Sequence, residues 1–473
     1  MTVAAPGGRC PQAEFAAAPT PTTLWIELTS RCPFNCIFCS RQARRGAGEH
    51  MEFALLDRLI AELDHPECIR LNYSGESLHY PWLAETIGLA KSTGASTELV
   101  TSLASADEGV LRSVVGSGLD RLGISLHTTS AAQWPEIYGN GSLDRQLTRL
   151  ERLLELCDEC GANRPALEIA FVAMQSNLRE LPAVVSLARR TGIPLVTVLP
   201  VIRRDPVRGA FLEELDGRGR LRDEFREALR EAVGKARAAF PSVEIRGGPE
   251  IEAGSRYARD FPAGTPIRTC DQDPWTTVHI LSNGDVVPCE VQDTLVLGNV
   301  RDRSLRSIWR GEAYREFRRA FVSGTNPACL SCDWKVAGSA SPPARELCAR
   351  DWQGAQFLRG WHPRDGAGTL WSRREALLLL PGGKRLLLKG ALPPSRDGRP
   401  NRLDISCNAL PAGSVANPTG GLLRFSTCLE APAGCGDVVV RCRVARTFRP
   451  SEAGGSGDAR ELGFALFGIE VLQ

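Results

Sequence analysis

Seven cysteines carry the chemistry legible in this sequence. Cys32, Cys36 and Cys39 stand in Cys-Pro-Phe-Asn-Cys-Ile-Phe-Cys, directly after the apolar run LWIELT. Three thiolates on one loop suit iron–sulfur ligation, and a four-iron cluster held by only three of them keeps one iron open to an outside ligand. Zinc would need a fourth Cys or His to complete its tetrahedron. Within the next twenty-five residues only His50 offers one.

The second set is Cys270, Cys289 and the pair Cys329-Leu-Ser-Cys332. Cys289 closes PWTTVHILSNGDVVPC, which predicts a β-hairpin turning at Asn283-Gly284. The pair follows a helix expected near 305–321. Four thiolates fit either zinc or a fully ligated four-iron cluster, and spacing alone does not choose. Cys157 and Cys160 also spell C-x2-C, but they sit in a charged amphipathic helix without a partner pair and read as incidental.

The elements that must position these groups follow from hydrophobic periodicity. Between Leu24 and about Pro200, β-type runs (LWIEL, IRLNYS, TELVTS, RLGISL, LEIAFVAM, PLVTVLP) alternate with helices expected near 53–63, 82–92, 143–160 and 181–191. Such alternation argues an α/β fold with a parallel sheet. Six strands are two short of a closed eight-stranded barrel, so the expectation is a partial (β/α)6 TIM-like barrel with its chemistry at the strand C-termini. The expected order is a disordered lead-in over 1–22, the barrel plus a connector over 23–262, and a small α+β cluster-binding domain over 263–345. A β-rich accessory domain over 346–473, read as a β-sandwich, completes it, with GSASPPAR marking the boundary near 338–345.

With 57 Lys and Arg against 55 Asp and Glu, the net charge of +2 gives no electrostatic case for nucleic acid or an anionic membrane. No run approaches the roughly 18 apolar residues of a membrane span, and the first residues do not read as a secretion signal. The expected location is cytoplasmic, where clustered cysteines among the sixteen present are better read as metal ligands than as disulfides.

The cysteine loop, with aromatic Phe38 just before the third cysteine, resembles the radical S-adenosylmethionine (radical SAM) superfamily, and the pattern resembles it to about residue 200. The resemblance implies that S-adenosylmethionine chelates the open iron and, on one-electron reduction by an external donor such as flavodoxin or ferredoxin, yields a 5'-deoxyadenosyl radical that abstracts a substrate hydrogen. It also implies cofactor contacts from Ser74-Gly75-Glu76, at the end of the second strand, and from Ser125. His127 is a weak candidate for proton transfer, with a structural role as the alternative. The second cysteine set resembles the SPASM extension, or its shorter twitch form, with one auxiliary four-iron cluster.

Three functions remain open. The tail resembles accessory domains of enzymes acting on surface saccharides, with Trp361 and Trp371 placed to stack on sugars or to pack at a domain boundary, so oxidation or epimerisation of a carbohydrate-type substrate is the first reading. Maturation of a ribosomally made peptide is the second. Only thirty-one residues precede Cys32, which leaves no room for an N-terminal peptide-recognition domain of the usual size. A metal-stabilised glycan-binding protein without enzymatic activity is the third.

Overall fold

The computed structural model describes residues 20–39, 41, 48–63, 66–161, 165–202, 213–216, 221–247, 267–270, 272–332, 335–337, 346–348, 357–362, 369–381, 385–395, 399–407, 410–418, 420–430, 437–450 and 460–472. Most of the expected lead-in and the GSASPPAR boundary lie outside these residues.

The main sheet begins with β1 (Thr23–Ile26), β2 (Cys68–Arg70), β3 (Ser96–Thr101), β4 (Arg121–Ser125), β5 (Ala166–Ala173), β6 (Leu195–Pro200) and β7 (Glu244–Gly247), each parallel to the next. Helices between them lay one apolar stripe on the sheet. Leu55, Leu56, Leu59 and Ile60 are buried on the 53–61 helix, and Leu181, Val184, Val185 and Ala188 on the 181–190 helix, at the spacing a 3.6-residue period dictates. Two helices start where the sequence supplies a capping oxygen. Asp107 accepts from Val110 N at 2.8 Å and Ser142 from Arg145 N at 3.3 Å.

The strand count exceeds the expectation. β7 comes from the segment read as a connector, and a further parallel strand comes from the second cysteine region. After β8 (Ile267–Cys270), β9 (Thr277–Ile280) pairs parallel to the outer side of β1, in the register Thr23↔Thr277 to Ile26↔Ile280. β10 (Asp285–Val287) and β11 (Gly298–Asn299) then extend the sheet antiparallel. All four β9 residues are buried, as for a strand covered on both faces. The hairpin that delivers Cys289 is therefore built into the sheet that delivers the first three cysteines. Arg58 Nη2 to Val300 O at 2.7 Å, and Leu305 N to Glu62 Oε2 at 2.9 Å, tie the two regions further. The single helix expected over 305–321 is two, Leu305–Trp309 and Glu312–Ser323, with Gly311 as the N-cap of the second.

β12 (Lys335–Ala337) pairs with β8. The tail then forms β13 (Glu346–Cys348), β14 (Phe357–Trp361), β15 (Leu370–Pro381), β16 (Arg385–Leu392), β17 (Asn401–Cys407), β18 (Leu410–Asn417), β19 (Leu423–Glu430), β20 (Asp437–Val444) and β21 (Ala465–Leu472). β15 is long enough to serve both halves: Leu370 and Trp371 pair with β21, and Glu375–Pro381 with β20. The expected sandwich is thus one antiparallel sheet folded back on itself, with strand order β18-β17-β20-β15-β21-β16-β19 and its end strands approaching each other. Alternation along β16 and β17 turns Leu386, Leu388, Leu403 and Ile405 inward, into a core separate from that of the main sheet. Trp361 donates from Nε1 to Leu377 O at 3.0 Å and meets Phe464 edge to face at 5.7 Å, and Trp371 meets Phe448 at 5.6 Å. Both tryptophans make packing contacts within the tail.

Two separate cores predict two separable stabilities. Leu388→Ala, at a wholly buried position, should cost about 2–5 kcal/mol. In calorimetry it should lower one transition and leave iron uptake unchanged; loss of iron along with it would show that both cores unfold as one.

Candidate functional site

The first three cysteines occupy the loop that leaves the C-terminal end of β1, and the segment after β4 holds that loop from the side. Asn35 N donates to Tyr138 O at 2.8 Å, Ile37 N to Ile137 O at 3.0 Å, and Asn140 Nδ2 to Pro33 O at 2.9 Å. Gly139 makes this approach possible. Its φ of +68° suits glycine, and a Cβ there would meet Asn35 O at 3.0 Å. Behind the loop, Trp134 stacks on Tyr138 at 3.8 Å, Tyr138 on His127 at 5.3 Å, and Phe38 meets His127 edge to face at 4.9 Å.

Burial, the Glu76 carboxylate and the Cys39 thiol push the Cys32 thiol up to about 12. Burial, then the charges of Cys39 and Cys32, raise Cys36 well above the ordinary thiol range. Three thiolates so close in a dry setting repel one another, and a cationic iron cluster is the kind of group that reverses this penalty.

The Ser74-Gly75-Glu76 segment packs onto this loop. A Cβ on Gly75 would lie 1.9 Å from Thr29 O, and Glu76 N donates to Arg31 O at 2.9 Å. The Glu76 carboxylate accepts from Ser102 N at 3.0 Å, Ser102 Oγ at 3.1 Å and Leu78 N at 3.2 Å. Gln146, from the long helix after β4, donates to Ser102 O at 2.6 Å and Ser125 O at 2.7 Å, joining the C-terminal ends of β3 and β4. Leu103, between these groups, holds a φ of 62° with its side chain buried, a local strain of the kind found at strand mouths that serve a site.

His127 lies within the packing rather than at its surface. It is 2% exposed, its Nδ1 accepts from Val172 N at 3.1 Å, and burial lowers its pKa from 6.5 to about 3. The ring is neutral, and its geometry suits bracing the cysteine loop through Phe38 and Tyr138 rather than exchanging protons.

Sequence reasoning missed Glu27. Its side chain is wholly buried one residue past β1. Ser74 Oγ donates to Oε1, and Ser282 N and Oγ donate to Oε2, both at 2.9 Å. One carboxylate thereby joins the strand before the first cysteines, the Ser74-Gly75-Glu76 segment and the hairpin before Cys289. The signal was a lone acid inside the apolar run LWIEL, since a buried carboxylate persists only where donors surround it.

Cys270, Cys289, Cys329 and Cys332 line one cavity together with Phe317 and Phe321. Burial raises Cys270 well above the thiol range, with further contributions from Asp273, Cys329, Cys332 and Cys289, and burial takes Cys289 to about 11. Asn326 caps the short helix bearing Cys329, accepting from Ala328 N and Cys329 N, and donates to Gln292 Oε1 at 3.0 Å. Gln292 in turn donates to Cys329 Sγ at 3.4 Å. Four thiolates around one tetrahedral zinc, with bonds of about 2.3 Å, would sit roughly 3.8 Å apart. Among the described residues no three Cys, His, Asp or Glu side chains converge to hold one metal ion. Four thiols lining one cavity fit an iron–sulfur cube, and the donor set is complete for it. The Cys348 backbone is in β13, opposite Gly468 of β21.

Two consequences are measurable. Gly75→Ala forces the Thr29–Arg31 backbone away, so iron per reconstituted chain should fall from about eight toward about four, whereas retention of eight would show that the contact does not set the loop. Glu27→Gln places an amide donor against hydroxyl donors and should cost about 1–3 kcal/mol by chemical denaturation. For His127, a folded pKa of about 3 against 6.5 means that the unfolded chain takes up the proton first. Its contribution to stability is full above pH 6.5 and is lost as pH falls toward 3. In the apo-protein, His127→Gln should flatten stability over that window, and an unchanged acid profile would contradict the buried neutral ring.

The comparisons agree with this geometry. Residues 26–167 match the family model of the Radical SAM superfamily, and residues 270–333 match SPASM, an iron-sulfur cluster-binding domain. A cofactor-modifying protein of the tungsten-containing aldehyde ferredoxin oxidoreductase from Pyrococcus furiosus is 21% identical over 76% of this chain and 97% of its own length. A PqqA peptide cyclase from Xanthomonas euvesicatoria is 27% identical over 72% of this chain and 84% of its own. Among solved structures, Streptococcus suis SuiB aligns at a TM-score of 0.49 and 16% identity, covering 64% of this chain and 68% of that one. No described helix is long and apolar enough to cross a membrane. The chain carries a radical SAM domain over 26–167 followed by a SPASM iron–sulfur cluster-binding domain over 270–333.

Proposed function

We propose that this radical SAM enzyme modifies a peptide, forming a new bond within it or altering a side chain by way of hydrogen abstraction. The observation that carries the reading is the match to PqqA peptide cyclases, which covers about 70% of this chain and more than 80% of theirs. It displaces the carbohydrate reading placed first from the sequence. That reading rested on the tail, where Trp361 and Trp371 are engaged in packing with Phe464 and Phe448.

When bound, S-adenosylmethionine on the open iron of the first cluster supplies, on one-electron reduction, a radical able to abstract hydrogen. Cys32, Cys36 and Cys39 would hold that cluster. Gly75 permits the close seat of the loop, and Glu76, fixed by Ser102 and Leu78, presents a carboxylate beside Cys32 that suits the cofactor's amino group. Ser125 at the end of β4, with its carbonyl held by Tyr138 and Gln146, is placed for a further polar contact. Cys270, Cys289, Cys329 and Cys332 would hold one auxiliary cluster in the twitch arrangement. An external flavodoxin- or ferredoxin-type donor would deliver the electron.

The test is co-expression of the chain with each short peptide encoded beside its gene, followed by mass spectrometry of the peptide. It is paired with an anaerobic dithionite assay for 5'-deoxyadenosine. A mass change in one peptide, lost in Cys32→Ala/Cys36→Ala/Cys39→Ala, is the expected result. 5'-Deoxyadenosine formation stimulated by saccharides and by none of the peptides would restore the carbohydrate reading, and no cleavage at all would leave a binding protein.

A further inference from the structure

The wall behind the second cysteine set holds a buried cation that makes no ion pair among the described residues, the Asp273 carboxylate acting on it only from a distance. Arg318 is 0% exposed on the Glu312–Ser323 helix, whose Phe317 and Phe321 line the cysteine cavity. Its Nε donates to Pro274 O at 2.9 Å and its Nη1 to Trp309 O at 2.8 Å, and Pro274 lines the same cavity. The guanidinium lies over the rings of Trp309, at 4.2 Å, and Tyr314, at 4.6 Å. No carboxylate among the described residues forms an ion pair with it, and Nη2 has no hydrogen-bond partner among them. The Tyr314 hydroxyl, also wholly buried, has none either, and it lies within electrostatic reach of the Cys289 thiol.

Leaving a buried guanidinium with no ion-pair partner and one unpaired N–H group, and a buried phenol without an acceptor, costs free energy. Both become favourable if the neighbouring cavity holds an anion. A four-iron cluster with four cysteine thiolates is that anion, and its charge grows by one on reduction. Positive charge and hydrogen-bond donors near cluster sulfurs stabilise the more negative, reduced state.

We propose that Arg318 and Tyr314 are positioning residues of the auxiliary site: together they compensate the charge of the cluster on Cys270, Cys289, Cys329 and Cys332 and raise its reduction potential. The proposal is independent of the substrate and rests only on that site holding its cluster.

The test is a potentiometric titration, followed by visible absorption and EPR, of the full chain in a Cys32→Ala/Cys36→Ala/Cys39→Ala background that leaves the auxiliary cluster alone. Tyr314→Phe removes one hydroxyl without changing shape, and Arg318→Lys and Arg318→Met keep and delete the charge. The midpoint potential should fall in Tyr314→Phe and Arg318→Met, and by less in Arg318→Lys, at an unchanged iron content of about four per chain. Should Arg318→Met fail to fold, Tyr314→Phe and Arg318→Lys decide the matter. Unchanged midpoints in both at full iron content would overturn the proposal. Zinc with little iron in the background chain would overturn it differently, by removing the cluster reading of the site itself.

Discussion

A buried carboxylate is tolerable only where donors converge on it, and Glu27 makes that requirement an organising constraint. Its two oxygens are claimed by Ser74 and Ser282, from segments far apart in sequence, so β1, the strand end at Ser74 and the hairpin before Cys289 must meet at one point. The first cysteine loop leaves β1 just beyond that point. The hairpin that delivers Cys289 is held there too, because β9 lies against β1 throughout its length. Both cysteine sites thus hang from one strand pair, and neither loop can shift far without disturbing the acid.

The same economy recurs around the cysteines. Thiolates are costly in a dry site, and the protein supplies little positive charge to offset them at the first loop, where Arg41 contributes weakly to Cys32. A cluster bound there would supply the compensation, and folding of the loop and assembly of the cluster would then be mutually dependent. At the second site a protein cation, Arg318, shares that task from within a wall of aromatic rings.

Much of this was legible in sequence because it is local. Cys32, Cys36 and Cys39 lie within eight residues and Cys329 and Cys332 within four, so spacing alone reports their convergence. The Leu143–Cys160 helix follows from its own periodicity. What sequence hid depends on distant pairing. The parallel pairing of β9 with β1 leaves no local pattern, so the second cysteine region read as a separate unit. The partners of Glu27 lie 47 and 255 residues away. Likewise Gln146 looks like an ordinary polar helix residue until its amide is found joining Ser102 O to Ser125 O. In the tail, alternation revealed the strands, while the passage of β15 between two sets of partners turned the expected sandwich into a sheet folded on itself.

The claim on which all else depends is that one continuous sheet carries two four-iron clusters of different kinds, one with an open iron and one fully ligated. Mössbauer spectroscopy of the chain reconstituted with iron-57, with and without S-adenosylmethionine, tests it most directly. The account predicts two cubane clusters in equal amount, with the cofactor altering the signal of one iron in one of them and leaving the other unchanged. A single cluster population, or a spectrum indifferent to S-adenosylmethionine, would contradict it.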